Sequence, residues 1–194
     1  MATFITLFGL SLTWVSITLA LNGQMYWSFL LALGAFVADC LDGLVARLQK
    51  TDSQIGRQLD NLSDAVLYLL WPALVCFRVL GLTDPLSLLS QSVFLSAGLY
   101  RLARFNVLGY VPSAPRVTYP GIPVIFSFMT LAILFILRLF WPHSVVWVVS
   151  VILLILHAVL MVSRIDFPKI SLRLSLGLLI SALVVFAVYG RVLF

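Results

Sequence analysis

The chain has 194 residues, a formal net charge of +5, 62% hydrophobic residues and only 10% charged ones. A soluble domain of this length carries roughly 25% charged residues, so a water-exposed globular fold is excluded. Apolar runs recur from end to end and mark a polytopic membrane protein. All seven acidic residues are Asp, and four of them, Asp39, Asp42, Asp60 and Asp64, fall within 26 residues. That bias points to a site before any motif is considered.

Seven apolar runs follow in order, at 4–21, 25–48, 58–80, 87–105, 121–141, 144–162 and 172–190. Each comes near the ~20 residues that cross a bilayer as a helix. The breaks between them carry turn chemistry: Asn22-Gly23, Thr83-Asp84-Pro85, Val111-Pro112-Ser113-Ala114-Pro115 and Trp141-Pro142-His143. No linker is long enough to hold a soluble domain, so residues 1–194 read as a single transmembrane domain. The N-terminus lacks the basic region and small-residue cleavage site of a signal peptide, and the first run is expected to be retained. Cys40 and Cys76 lie inside apolar runs and read as small core residues.

Basic residues set the orientation. With the N-terminus inside, Arg47, Lys50, Arg57, Arg101, Arg104, Arg116, Arg164, Lys169 and Arg173 fall on the cytoplasmic side. Arg78, Arg138 and Arg191 fall opposite, and this bias puts the Asp-rich stretch at the cytoplasmic face.

Residues 39–64 read DCLDGLVARLQKTDSQIGRQLDNLSD. The second span ends here, a turn with Thr51, Asp52 and Ser53 follows, and the third span begins. Asp39 and Asp42 are three apart, Asp60 and Asp64 four apart, so each pair shares one helix face. A hairpin packs the two helices together, and four carboxylates can then converge. Ionised carboxylates held together repel one another, and removing them from water adds a further cost. Divalent cations resolve both, and an all-oxygen donor set favours Mg²⁺, Mn²⁺ or Ca²⁺ over zinc or copper. Gly43 and Gly56 remove side chains where a ligand would approach the backbone. Ala46 keeps the same groove shallow, and Arg47 offers a forked cation suited to a diphosphate. Taken singly, Asp60 also fits a helix N-cap and Arg47 a positive-inside anchor.

The pattern Asp39-x-x-Asp42-Gly43-x-x-Ala46-Arg47, eight residues, then Gly56-x-x-x-Asp60-x-x-x-Asp64 resembles the signature of the CDP-alcohol phosphatidyltransferases at all eight fixed positions. The resemblance implies an all-α, polytopic membrane helix bundle: a six-helix core, with the seventh run as an extra helix. It implies that Asp39, Asp42, Asp60 and Asp64 hold two divalent cations, Mg²⁺ or Mn²⁺ being favoured. It also implies that Asp39, Gly43, Ala46, Arg47 and Gly56 contact the CDP-lipid, and that Asp64 is the general base. Implied partners are CDP-diacylglycerol, a small alcohol, membrane lipid and a second copy of the chain in a homodimer; no nucleic acid is expected.

Three further stretches resemble the phosphatidylserine synthase branch: Arg101-Leu102-Ala103-Arg104-Phe105-Asn106-Val107, Tyr119-Pro120-Gly121-Ile122-Pro123, and Leu160 through Pro168. Arg101 and Arg104 lie three apart at the aspartate side of the membrane. With Asn106 they fit the carboxylate of a serine acceptor. They also fit membrane anchors or contacts to lipid phosphate. The expected reaction is phosphatidyl transfer from CDP-diacylglycerol to L-serine, releasing CMP and forming phosphatidylserine. Glycerol 3-phosphate, an inositol phosphate or choline are the alternative acceptors. The chain departs from the branch at Val66–Trp71, where Ser-Phe-Gly is usual before the proline, and in lacking Pro-Asn ahead of the first span. A transporter is the rival class, since intramembrane carboxylates mark ion paths. It lacks the acidic residues in later spans, and the broken helices in matching halves, that such a path requires.

Overall fold

The computed structural model describes residues 2–49, 54–108 and 118–168, together with Gly177. They form six helices: α1 (Ala2–Leu21), α2 (Met25–Gln49), α3 (Gln54–Arg78), α4 (Pro85–Leu108), α5 (Phe126–Phe140) and α6 (His143–Val162). The six-helix core expected from sequence is present, and the expected extra helix at 172–190 lies outside the described residues. By length and composition α1, Met25–Ala46 of α2, α3 and α6 are each able to cross a membrane. Two short strands, β1 (Thr118–Pro120) and β2 (Asp166–Pro168), pair antiparallel, with Tyr119 opposite Phe167.

The turns follow from their residues. Gly23 takes φ +79° between α1 and α2, and Gly81 takes φ +67° after α3, conformations that cost a side-chain-bearing residue more. Asp84 opens α4 by accepting the N–H groups of Leu86 and Ser87, each at 3.1 Å. The one sizeable departure from the sequence reading is at the fifth run. It was expected from 121, yet α5 begins at Phe126 and runs only 15 residues. Gly121 at φ +81° and Pro123, which lacks an N–H, hold the preceding segment in turns.

Hydrophobic burial drives helix association little in lipid, so close packing and buried polar contacts carry it instead. On α1, Gly9 lies so close to α2 that an added Cβ would stand 3.2 Å from Ala38 Cβ. At the same interface the Ser16 hydroxyl donates to Ser28 O at 2.6 Å, and Trp71 Nε1 of α3 donates to Ser28 Oγ at 3.2 Å. The centre is an aromatic cluster of Phe29, Phe36, Tyr68, Trp71, Phe128 and Phe135, most pairs edge-to-face at 5.3–6.2 Å.

Inside α3, residues Ala65–Leu70 form a π-helical turn, in which the Trp71 N–H bonds Val66 O five residues back. Its cause is Pro72, which cannot donate to the preceding turn and whose ring clashes with the carbonyl four residues earlier. The helix widens by one residue ahead of the proline and continues without a break.

Candidate metal centre

Helix α2 delivers Asp39 and Asp42 from its second half, and α3 delivers Asp60 and Asp64 from its first half. One carboxylate oxygen from each of Asp39, Asp42 and Asp60 lies within 4.8 Å of the others. Oxygens facing each other across Mg²⁺ or Ca²⁺ stand about 4–5 Å apart, so this triangle fits a divalent cation. Asp64 lies one turn beyond Asp60, with its carboxyl group against that of Asp39. All four aspartates expected from sequence are thus brought together, three as a tight group and the fourth through Asp39.

The environment supports a cation. Asp42 is only 3% exposed, and its Oδ2 is buried without a hydrogen-bond partner. Thr6 of α1 and the Gly43 N–H are within reach of the same carboxylate. A buried oxygen with no donor is costly to keep, and a cation satisfies it without adding a protein donor. Asp39 has a protein donor, the Tyr68 hydroxyl, at 2.6 Å from Oδ2.

Gly43 and Ala46 sit half-buried on α2 beside the carboxylates, and Gly56 sits half-buried on the facing turn of α3. Arg47 lies on α2, one residue beyond Ala46, with its side chain outside the described residues. The segment 50–53 joining the two helices is likewise outside them.

The arginines of α4 separate in role. Arg101 is buried, stacks over the Phe105 ring at 5.3 Å, and acts electrostatically on Asp64. Arg104 instead donates to four backbone carbonyls: Pro120 at 2.7 Å, Val162 at 2.9 Å, and Met161 and Ser163 at 3.2 Å. Gly121 N–H bonds Ile165 O at 2.9 Å in the same knot, where a Cβ on Gly121 would meet Arg104 Nη2 at 2.9 Å. The three stretches singled out beyond the aspartate motif therefore meet at one place. Asn106 is exposed on the last turn of α4.

Two polar neighbours of the site escaped the sequence reading. Thr6 belongs to a stripe Thr6, Gly9, Thr13, Ser16 that α1 turns toward the bundle. That small and polar spacing was available as a signal. Tyr68 follows Asp60 and Asp64 at the same interval of four, which placed it on their face.

A bundle of six helices among the described residues, four of them long and apolar enough to cross a membrane, with a carboxylate cluster toward one end, is an integral membrane protein with a candidate cation site. The family profile described as CDP-alcohol phosphatidyltransferase matches residues 1–163, and the chain belongs to that metal-dependent family. The chain is 34% identical over 111 residues to the CDP-diacylglycerol–serine O-phosphatidyltransferase of Mycobacterium leprae, covering 56% of this chain and 37% of that protein. It is 31% identical over 160 residues to the Methanocaldococcus jannaschii protein of the same name, covering 81% and 71%. It is 26% identical over 160 residues to the archaetidylserine synthase of Methanothermobacter thermautotrophicus, covering 81% and 65%. The chain thus spans less than two thirds of two of these three relatives.

Proposed function

We propose that the 194 residues act as one catalytic domain that transfers the phosphatidyl group of CDP-diacylglycerol to the hydroxyl of L-serine. The serine oxygen forms a bond to the phosphorus that carries the diacylglycerol, and the P–O bond to CMP breaks. The serine proton passes to Asp64, and CMP leaves with the electron pair of the broken bond. The observation that carries this reading is the Asp39–Asp42–Asp60 triangle with Asp64 beside it.

Divalent cations, Mg²⁺ or Mn²⁺ in this reading, would neutralise charge on the diphosphate, the usual source of catalysis in phosphoryl transfer. Asp39, Asp42, Asp60 and Asp64 would hold them. Gly43, Ala46 and Gly56 leave room for the CDP moiety, and Arg47 pairs with the diphosphate. Asp64 serves as base because it lies at the edge of the triangle, against Asp39 and within the field of Arg101. Arg101, buried near Asp64, receives the serine carboxylate. Arg104 and Asn106 complete the acceptor side, Arg104 chiefly by holding the loops around it through its four carbonyl bonds. Serine as acceptor is supported by the names of the relatives and by Arg101, buried on α4 near Asp64.

The active site is assigned to the cytoplasmic face on the basic bias of that end, and the chain to a homodimer on family resemblance. Modification of Gln54→Cys by a membrane-impermeant thiol reagent tests the first. Labelling in intact cells, before permeabilisation, would reverse the orientation. The reaction itself is tested with purified protein, CDP-diacylglycerol, Mg²⁺ or Mn²⁺, and a panel of labelled alcohols. CMP release with serine and formation of phosphatidylserine are expected. Preference for glycerol 3-phosphate, an inositol phosphate or choline would overturn the serine assignment and leave the family chemistry standing.

A further inference from the structure

We infer that Tyr68 is a positioning residue for the candidate metal centre: it anchors Asp39 through one carboxylate oxygen and so sets the direction in which that ligand faces the triangle. The inference rests on the reading of Asp39, Asp42 and Asp60 as cation ligands.

Its basis is a hydrogen bond that crosses from α3 to α2. Tyr68 falls in the middle of Ala65–Leu70, between Asp64 and Pro72. The side chain is 2% exposed and is walled by Phe36 at 6.2 Å and Phe128 at 5.3 Å, both edge-to-face. Those rings fix the phenol, and its hydroxyl ends 2.6 Å from Asp39 Oδ2, across the gap between α3 and α2. A hydroxyl has one proton to donate, and here the carboxylate takes it. Asp39 is thereby held by a donor on a rigid aromatic wall rather than by solvent. The contrast with Asp42, whose Oδ2 is buried with no donor, is informative. One ligand of the triangle is fixed from behind, and another has an oxygen left for a cation alone. Partners that orient metal ligands in this way are worth about 10–100-fold in metal affinity. π-turns inside α-helices recur at functional sites.

The bland account is that Asp39 merely satisfies a buried phenol. The two differ in what removing the hydroxyl does. Tyr68→Phe keeps both ring contacts, so the bundle should still assemble. Binding of Mn²⁺ to the detergent-purified chain, read by electron paramagnetic resonance of free Mn²⁺ and by the rise in Tm with added Mn²⁺, should weaken about tenfold or more. Tyr68→His, which restores a donor, should recover part of that loss. Ser16→Ala removes a buried hydrogen bond between α1 and α2 away from the aspartates and from both rings, and should lower Tm without moving the Mn²⁺ midpoint. An unchanged midpoint in Tyr68→Phe would overturn the role of Tyr68 while leaving the metal centre intact. Loss of fold in both Tyr68 variants would overturn it as well, making Tyr68 a core residue. Absence of Mn²⁺ binding by the unsubstituted chain would instead remove the metal reading, and this inference with it.

Discussion

Leu69 of α3 packs directly onto Gly98 of α4: a Cβ on Gly98 would stand 2.6 Å from Leu69 Cδ1 and 3.0 Å from its Cγ. Leu69 is fully buried, so it cannot relieve an overlap by swinging into solvent. The contact links the π-turn behind Asp64 to the helix that carries Arg101, three residues further along the same face of α4. Gly98→Leu should overpack this seat at a cost of about 1–3 kcal/mol and push the two helices apart. Gly98→Ala should cost less, since Ala gains about 1 kcal/mol over Gly in a helix interior. Thermal unfolding in detergent, alongside turnover, checks the order; an unshifted Tm in Gly98→Leu would refute the seat.

Removing the cation should silence the protein. Asp39→Asn, Asp42→Asn and Asp60→Asn should each reduce CMP release by at least about 10²-fold while helical circular dichroism is retained, because each removes a charge from the triangle. EDTA should abolish turnover of the unsubstituted chain, and Mg²⁺ or Mn²⁺ should restore it. Full activity in chelator would end the metal reading. Asp64→Asn should also lose about 10²-fold or more, with CDP-lipid binding preserved, as expected for loss of a general base.

Arg101 and Arg104 should separate in kinetics. Arg101→Lys keeps the charge and loses the fork, and should raise KM for serine about tenfold with a smaller change in that for CDP-diacylglycerol. Arg104→Ala strips donors from four carbonyls, so it should lower Tm and impair both substrates together. If Arg104→Ala leaves Tm unchanged and affects serine alone, Arg104 is a direct acceptor contact.

At the far end of the bundle, hydrogen bonds from Ser87 and from Trp147 (2.6 Å) stabilise the Asp84 carboxylate, whose pKa is lowered to about 2 from 3.8. A depressed folded pKa contributes stability above the unfolded value, and that stability disappears as pH falls through the folded one. Tm should therefore fall between about pH 4 and pH 2, and Asp84→Asn should remove that part of the pH dependence. A pH profile of Asp84→Asn matching the unsubstituted chain in this window would show that the carboxylate contributes nothing there.

The membrane character, six of the helices and the aspartate constellation were legible in the amino-acid order because each rests on local physics. Apolar runs of ~20 residues must close their own backbone hydrogen bonds in lipid. Spacings of three and four put Asp39 with Asp42, and Asp60 with Asp64, on single helix faces. The start of α5 was not legible, because apolarity alone does not reveal that Gly121 and Pro123 hold turns.

Only the tertiary structure decided what stands around the aspartates. Arg101 and Arg104 are chemically alike and three residues apart, yet one is buried near Asp64 and the other is occupied by carbonyls of β1 and of the α6 end. Those carbonyls lie up to 59 residues away along the chain. Tyr68 reaches Asp39 over 29 residues of separation, with its ring held edge-to-face by Phe36 and Phe128. Helical periodicity reports which face a residue occupies, whereas its partner depends on how the helices cross, and crossing is set by packing across the whole bundle.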